Sequence, residues 1–211
     1  MNPGGRGCGP DLKAGGSAVR DVGEILRASG GLLAGHFLLS SGRHSDRYLQ
    51  LAAPFERPDL AAELAAGLAA RVREAGLAPA TVLGPALGAV VPGFALAQAL
   101  GLRFLFCERE EGRFALRRGF RLSAGERVLI CENTLTTGGS ALEALQLARA
   151  HGADVVGVAV YCDRIPQPAS VFPVPYIGLQ RFELASWPAA ECPLCRAGVP
   201  GPAKPGSRPG A

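Results

Sequence analysis

The sequence has no run of about 18 uninterrupted apolar residues and no apolar signal core behind a basic start, so it offers neither a membrane span nor a secretion signal. A soluble, cytoplasmic chain is expected. Six cysteines in 211 residues are too few and too unevenly spaced for the disulfide framework of a small secreted domain, so reduced thiols are the default. Charge of one sign is not in large excess. The 22 Lys and Arg stand against 18 Asp and Glu, spread along the chain, and the net +4 suits an anionic small molecule as well as nucleic acid. Basic patches interleaved with aromatics, the pattern of a single-strand RNA binder, are missing, and no nucleic-acid partner is expected. Also missing are an internal repeat, a Gly-Lys-Ser/Thr phosphate loop and a G-x-G-x-x-G after a strand. No Ser/His/Asp triad can be assembled.

What is present is the alternation of an α/β chain. With 48% hydrophobic residues, the length suits one well-packed domain, expected over residues 18–198 between Gly/Pro-rich tails at 1–17 and 199–211 that read as disordered. Val22, Ile25 and Leu26 mark a first helix over 19–29, and 35–51 reads as irregular or hairpin structure around Ser40-Ser41-Gly42. A longer helix opens at Pro58-Asp59 and ends near Gly76. Strand 80–83, helix 88–100, strand 102–107, strand 127–131, helix 140–150 and strand 155–162 follow. Unbroken apolar strands separated by amphipathic helices indicate a parallel sheet covered on both faces.

In such a sheet ligands bind beyond the carboxyl ends of the strands. The segment Glu132-Asn133-Thr134-Leu135-Thr136-Thr137-Gly138-Gly139-Ser140 follows strand Val128-Leu129-Ile130-Cys131 and opens a helix. Its last five residues combine hydroxyls, permissive glycines and backbone N–H groups at a positive helix end, which is what a phosphate monoester requires. Its first two place polar groups where the hydroxyls of a sugar can be gripped. An ordinary Gly-rich turn with a solvated Glu132 is the bland alternative for these residues.

The stretch CENTLTTGGSALEAL resembles the phosphoribosyl pyrophosphate (PRPP) signature of the type I phosphoribosyltransferases. Within that group the chain is most similar to the orotate phosphoribosyltransferase family. The likeness runs from about Val19 to about Gly198 and includes HFLLSSGRHSDRYLQ, GPALGAVV, EREEGRFALRRGF, the Cys162-Asp163-Arg164 triplet and CPLC near the end. The resemblance implies a parallel central sheet flanked by helices, with a small hood made from the two chain ends. It implies Mg²⁺-dependent transfer of the 5-phosphoribosyl group from PRPP to orotate, a step of pyrimidine biosynthesis. Carried over residue by residue, Thr136, Thr137, Gly138, Gly139 and Ser140 hold the 5-phosphate, with Thr134 and Leu135 leading into them. Glu132 and Asn133 hold the ribose hydroxyls. Leu87 and Gly88 form the pyrophosphate loop. Thr136, Arg164, Tyr48 and Leu49 meet the orotate, Arg164 pairing with its carboxylate. Arg109 contacts PRPP, and 108–119 is a mobile loop that closes over the diphosphate in the partner subunit of a homodimer. Its bases Arg109, Arg113, Arg117 and Arg118, with Arg121 just beyond, would offset the charge of the leaving group, with a solvated charged hairpin as the lesser alternative for any one of them. Mg²⁺ is held mainly by substrate oxygens and water, and no protein metal ligand is expected.

Several positions depart from the family pattern. Asn133 stands where the family has Asp, and losing a charged transition-state contact commonly costs roughly 10²- to 10³-fold in rate. Thr134 replaces an apolar residue, Ser40 stands where a Lys is frequent, Glu110 follows Arg109 in place of a second base, and Ile165-Pro166-Gln167-Pro168-Ala169-Ser170 lacks a Ser/Gly-rich turn. A paralogue that binds PRPP or nucleotide with weak turnover, or that uses another base, is therefore the alternative. Cys192-Pro-Leu-Cys195 has the spacing of half a zinc site, but no second Cys pair or nearby His pair completes it in the sequence, and it reads as a terminal turn with small buried thiols. His44 lies near the base site and reads as a solvated turn residue or as a donor to a ligand; His36 and His151 read as structural.

Overall fold

The computed structural model describes residues 21–39, 41–165 and 167–205. The expected tail at 1–17, Ser40, Pro166 and residues 206–211 lie outside the described residues. Helix α1 (Val22–Ala28) is capped by the Asp21 carboxylate, which accepts from the Glu24 N–H. Strands β1 (Leu32–Leu38) and β2 (His44–Leu49) then pair antiparallel as a separate two-stranded sheet, so the hairpin reading of this region holds.

After a short α2 (Ala52–Phe55), helix α3 (Pro58–Glu74) starts with proline in its first turn, where the missing N–H costs nothing. Leu60, Leu64, Leu68 and Val72 recur every fourth residue, and Ala61, Ala65 and Ala69 beside them bring the helix close to the sheet. Burying each large side chain contributes roughly 1.5–3 kcal/mol. Strand β3 (Thr81–Pro85) leads through α4 (Val90–Leu100), closed by Gly101 at φ 72°, to β4 (Arg103–Glu110). Strand β5 (Arg113–Ala115) folds back on β4. Strand β6 (Arg127–Leu135), helix α5 (Gly139–Ala150) and strand β7 (Asp154–Asp163) follow, then β8 (Tyr176–Arg181) and the short α6 (Pro193–Arg196).

The main sheet has the order β5-β4-β3-β6-β7-β8, parallel except for β5. Helices α3 and α4 pack on one face with Val82, Leu129, Cys131 and Tyr161. Helix α5 packs on the other with Leu83, Val128, Ile130 and Val158. Neighbouring strand residues thus serve opposite cores, as the alternation of a two-sided sheet demands. From β3 the chain winds outward through β4, whereas from β6 it winds the opposite way through β7 and β8. The crevice between the carboxyl ends of β3 and β6 is therefore the switch point at which this architecture binds ligands.

Three expectations are corrected. Strand β6 runs on to Leu135, so Glu132, Asn133 and Thr134 belong to a paired strand and not to a loop, with Thr134 opposite Cys162. The 108–119 segment is largely a β-hairpin whose two-residue turn, Glu111-Gly112, has positive φ at both positions, the geometry that suits strand twist. The expected C-terminal tail begins as placed chain: the Ala203 N–H donates to the His36 carbonyl and the Leu38 N–H to the Ala203 carbonyl, both at 2.8 Å. No helix among the described residues is long and apolar enough to cross a membrane.

Candidate functional site

The end of β6 builds the floor of the site. The Glu132 side chain is buried, and one carboxylate oxygen accepts from the Asn133 N–H at 3.0 Å. Loss of solvation pushes this carboxyl up to about 7, against which the single backbone donor works only partly. Asn133 Oδ1 accepts from the Thr134 N–H at 2.6 Å. Its amide faces the β3–α4 turn, where a Cβ added to Gly88 would come within 2.8 Å of Asn133 Nδ2. Gly88 therefore lets the turn backbone lie against the Asn133 amide. The Ala86–Leu87 peptide is cis, and Leu87 is exposed on the rim.

Beyond Leu135 the chain turns through Gly138, φ 83°, into α5. A Cβ on Gly138 would sit 2.7 Å from Val171 Cγ1, so both its conformation and its space call for glycine. Residues Thr136, Thr137, Gly138, Gly139 and Ser140 curl around a concavity of about 40 Å³ that Glu132 also lines. The first N–H groups of α5 have no partner within the helix and carry its positive end, which makes the concavity a seat for an anion.

Beside it, the Arg164 N–H donates to the Leu135 carbonyl at 3.0 Å, which fixes that residue to the end of β6. Arg164 lines a larger pocket of about 320 Å³ with Ile165, Arg181, Phe182, Glu183 and Leu184. Its Nε is buried and has no hydrogen-bond partner. Burial lowers the pKa of this guanidinium, and the nearby Tyr48 opposes the shift. Arg181, in contrast, is held by Asp163, whose other oxygen accepts from the Tyr176 hydroxyl. Arg164 is thus a half-buried fork with a donor that a planar anion can satisfy.

The expected site residues fall into two sets. Glu132, Asn133, Thr134, Leu135, the 136–140 turn, Leu87 and Gly88 share the switch-point crevice, with Arg164 and Tyr48 at its side. Leu49 points into the core with Ile25, Leu26 and Leu51, so it backs the hairpin from below. Arg109 is not at the crevice: it holds the Glu143 carboxylate of α5 through both amino groups, at 2.9 and 3.3 Å, and lies over the Phe114 ring. Arg118 pairs in the same two-pronged way with Glu108, and Arg117 lies 3.5 Å from Glu110. Glu143, which also accepts from the Phe114 N–H, was not legible as a latch because its partners lie about thirty residues away.

A family model described as a phosphoribosyl transferase domain matches residues 55–177. The orotate phosphoribosyltransferase of Wolinella succinogenes is 44% identical over 200 residues, covering 89% of this chain and 97% of that protein. That of Heliobacterium modesticaldum is 44% identical over 185 residues, covering 88% and 96%. The chain belongs to the orotate phosphoribosyltransferase family. As a member of that family it is a transferase of the type I phosphoribosyltransferase fold. The crystal structure of the Mycobacterium tuberculosis orotate phosphoribosyltransferase in complex with inorganic phosphate is similar, with a TM-score of 0.62 at 26% identity over 75% of this chain and 94% of that one. The Aeropyrum pernix orotate phosphoribosyltransferase shares the fold at 22% identity, with a TM-score of 0.63 over 76% and 93%.

Not every histidine and cysteine reading stands. His36 and His44 are both buried and meet Cys192 and Cys195, so the pair of histidines that the Cys-x-x-Cys turn lacked in sequence is supplied by the hairpin. His44 is no solvated turn residue. His151 closes α5 as its C-terminal cap, in keeping with a structural role.

Proposed function

We propose that the protein transfers the 5-phosphoribosyl group of PRPP to orotate with Mg²⁺, giving orotidine 5′-phosphate and pyrophosphate in pyrimidine biosynthesis. The observation that carries this reading is the unpartnered, buried Nε of Arg164 in a pocket that adjoins the anion seat of α5. A carboxylate on a flat ring satisfies that donor, and Tyr48 beside it supplies a surface for the ring. Thr136 lines the 136–140 concavity, next to Leu135 whose carbonyl accepts from the Arg164 N–H, and is the residue of the turn proposed to approach orotate as well.

In the reaction the bond from the sugar C1 to pyrophosphate breaks as the bond from C1 to the ring nitrogen of orotate forms, the proton of that nitrogen passing to the leaving pyrophosphate or to water, and the sugar passes through a state with oxocarbenium character. The 136–140 turn holds the 5-phosphate, Glu132 and Asn133 grip the ribose hydroxyls, and the Leu87-Gly88 backbone cradles the diphosphate. With Asn at 133, Glu132 is the one acid lining the 136–140 concavity, and its oxygens with those of the threonines are the hard donors that suit Mg²⁺ held mainly by substrate and water. When bound, that ion offsets charge building on the leaving pyrophosphate. Arg109 takes part only by exchanging Glu143 for the diphosphate. A cytoplasmic homodimer, with hairpin 108–119 reaching the partner's site, belongs to the same reading. Val91 and Phe94, a helical turn apart on α4, are more than half exposed and offer an apolar face for a second copy.

The test is orotidine 5′-phosphate formation from orotate, PRPP and Mg²⁺ by the wild type beside Asn133→Asp. Turnover by the wild type, increased in Asn133→Asp by the restored charge, is expected. Absence of orotate-dependent pyrophosphate release from both proteins overturns the assignment.

A further inference from the structure

The structure assigns a zinc site to His36, His44, Cys192 and Cys195, at the junction of the β1–β2 hairpin with the C-terminal segment. Their ligand atoms all lie within 4.8 Å of one another. His36 Nε2 is 3.0 Å from His44 Nδ1, and 3.6 Å from the sulfur of each cysteine; Cys195 Sγ is 3.3 Å from His44 Nδ1. A tetrahedral zinc with metal–nitrogen distances near 2.0 Å and metal–sulfur distances near 2.3 Å requires edges of about 3.3 Å between nitrogens and about 3.5 Å between nitrogen and sulfur. The four edges given fall within a few tenths of an ångström of those values and the remaining two lie under 4.8 Å, so the side chains are gathered close to the geometry that one tetrahedral ion requires.

The surroundings suit a closed metal site. His36 Nδ1 is 3.3 Å from the Val199 carbonyl, to which it can donate, leaving the Nε2 lone pair aimed at the cluster. His36, His44 and Cys192 are buried; Cys195 is at the surface and gives the ion an entry path. The backbone around the ligands is fixed from both sides: His44 exchanges both of its backbone hydrogen bonds with Trp187, and His36 accepts from Ala203. Cys192 caps the short α6 and Cys195 lies inside it, so one turn of helix sets the cysteine spacing.

Two sulfurs and two imidazoles in a tetrahedron select zinc over hard cations. A two-iron cluster with two histidines would separate the histidine pair from the cysteine pair, one pair on each iron. Here His36 touches both cysteines, and the space admits one ion. Four protein ligands leave no open position, so the zinc is structural and joins residues about 150 positions apart in the chain. It ties the hairpin that carries Tyr48 to the C-terminal segment.

Metal analysis of the full chain, purified under reducing conditions and then given Zn²⁺ and freed of loosely bound ion, tests the site without reference to catalysis. About one zinc per chain is expected. Replacing zinc by Co²⁺ is expected to give the strong visible bands of a tetrahedral ion together with thiolate-to-cobalt charge transfer in the near ultraviolet. Chelation is expected to lower the Tm by about 5 °C or more. Cys192→Ser with Cys195→Ser is expected to abolish zinc retention, whereas His151→Ala, outside the cluster, retains it. Zinc well below one equivalent with no thiolate-to-cobalt band overturns the proposal, as does zinc kept in full by the double cysteine variant. If the double variant fails to fold, the cobalt spectrum of the wild type decides alone.

Discussion

At the residue scale, Arg164 and Glu132 are the two groups whose environments are most out of keeping with a resting surface. Arg164 keeps a buried donor without an acceptor, and a ligand carboxylate would supply one. Arg164→Ala is expected to raise the KM for orotate roughly 100-fold while leaving that for PRPP within about twofold, and Arg164→Lys to recover little, because a point charge lacks the planar fork. Steady-state kinetics with each substrate varied in turn checks this; an equal loss for both substrates would move Arg164 out of the base pocket. For Glu132, burial raises the carboxyl to about 7 from an ordinary 4.5. Between those values the folded chain holds more of this proton than the unfolded chain does, so the contribution of Glu132 to stability falls as pH rises through that window. Glu132→Gln cannot ionise. Its Tm is expected to exceed that of the ligand-free wild type at pH 8 and to come close to it at pH 4.5. A Tm at pH 8 equal to or below that of the wild type would mean that the carboxylate is better solvated than its burial indicates.

At the element scale, the turn from β6 into α5 depends on Gly138. With φ 83° and Val171 only 2.7 Å from the place a Cβ would take, Gly138→Ala forces either strain or a shift of the turn. We expect a stability loss of about 1–3 kcal/mol by urea denaturation and a PRPP KM raised roughly tenfold, since the N–H groups that meet the phosphate move with the turn. A variant with unaltered KM would place the phosphate elsewhere. Strands β3, β6 and β7 were legible as unbroken apolar runs because both of their faces are buried. Strand β8 was not: Pro173 and Pro175 precede it, and its alternating, half-exposed pattern is that of an edge strand, which period and composition do not separate from loop. The glycines and hydroxyls of the phosphate turn were equally legible, because their chemistry is local. The latch of Arg109 on Glu143 and the meeting of His36 and His44 with Cys192 and Cys195 depend on long-range packing. Spacing along the chain carries no trace of the first and shows only the Cys192–Cys195 half of the second.

For the whole molecule, the apolar face of α4 is where a partner copy is expected. Val91 and Phe94 are 53% and 58% exposed, and Phe94 leans edge-on to Phe104 at 6.1 Å between ring centroids. If hairpin 108–119 serves the partner's site as proposed, Phe94→Glu is expected to give a monomer in light scattering where the wild type gives a dimer, and to reduce turnover. A wild-type protein that is monomeric at working concentration would remove this face from consideration. The course of β6 has a separate consequence for how the molecule meets its ligand. Glu132, Thr134 and Leu135 pair with β7, opposite Val160, Cys162 and Asp163, beyond Ile130 where the pairing of β6 with β3 ends, so their amides are expected to exchange with deuterated solvent more slowly than those of the turn that follows, ligand or none. The amides of residues 136–139, which leave that ladder, are expected to exchange fast until a phosphate binds there as proposed. Binding is then expected to order little of β6 itself, which is already paired with β7, and in this part of the chain the protection that appears on adding PRPP is expected to fall on a few consecutive peptide groups.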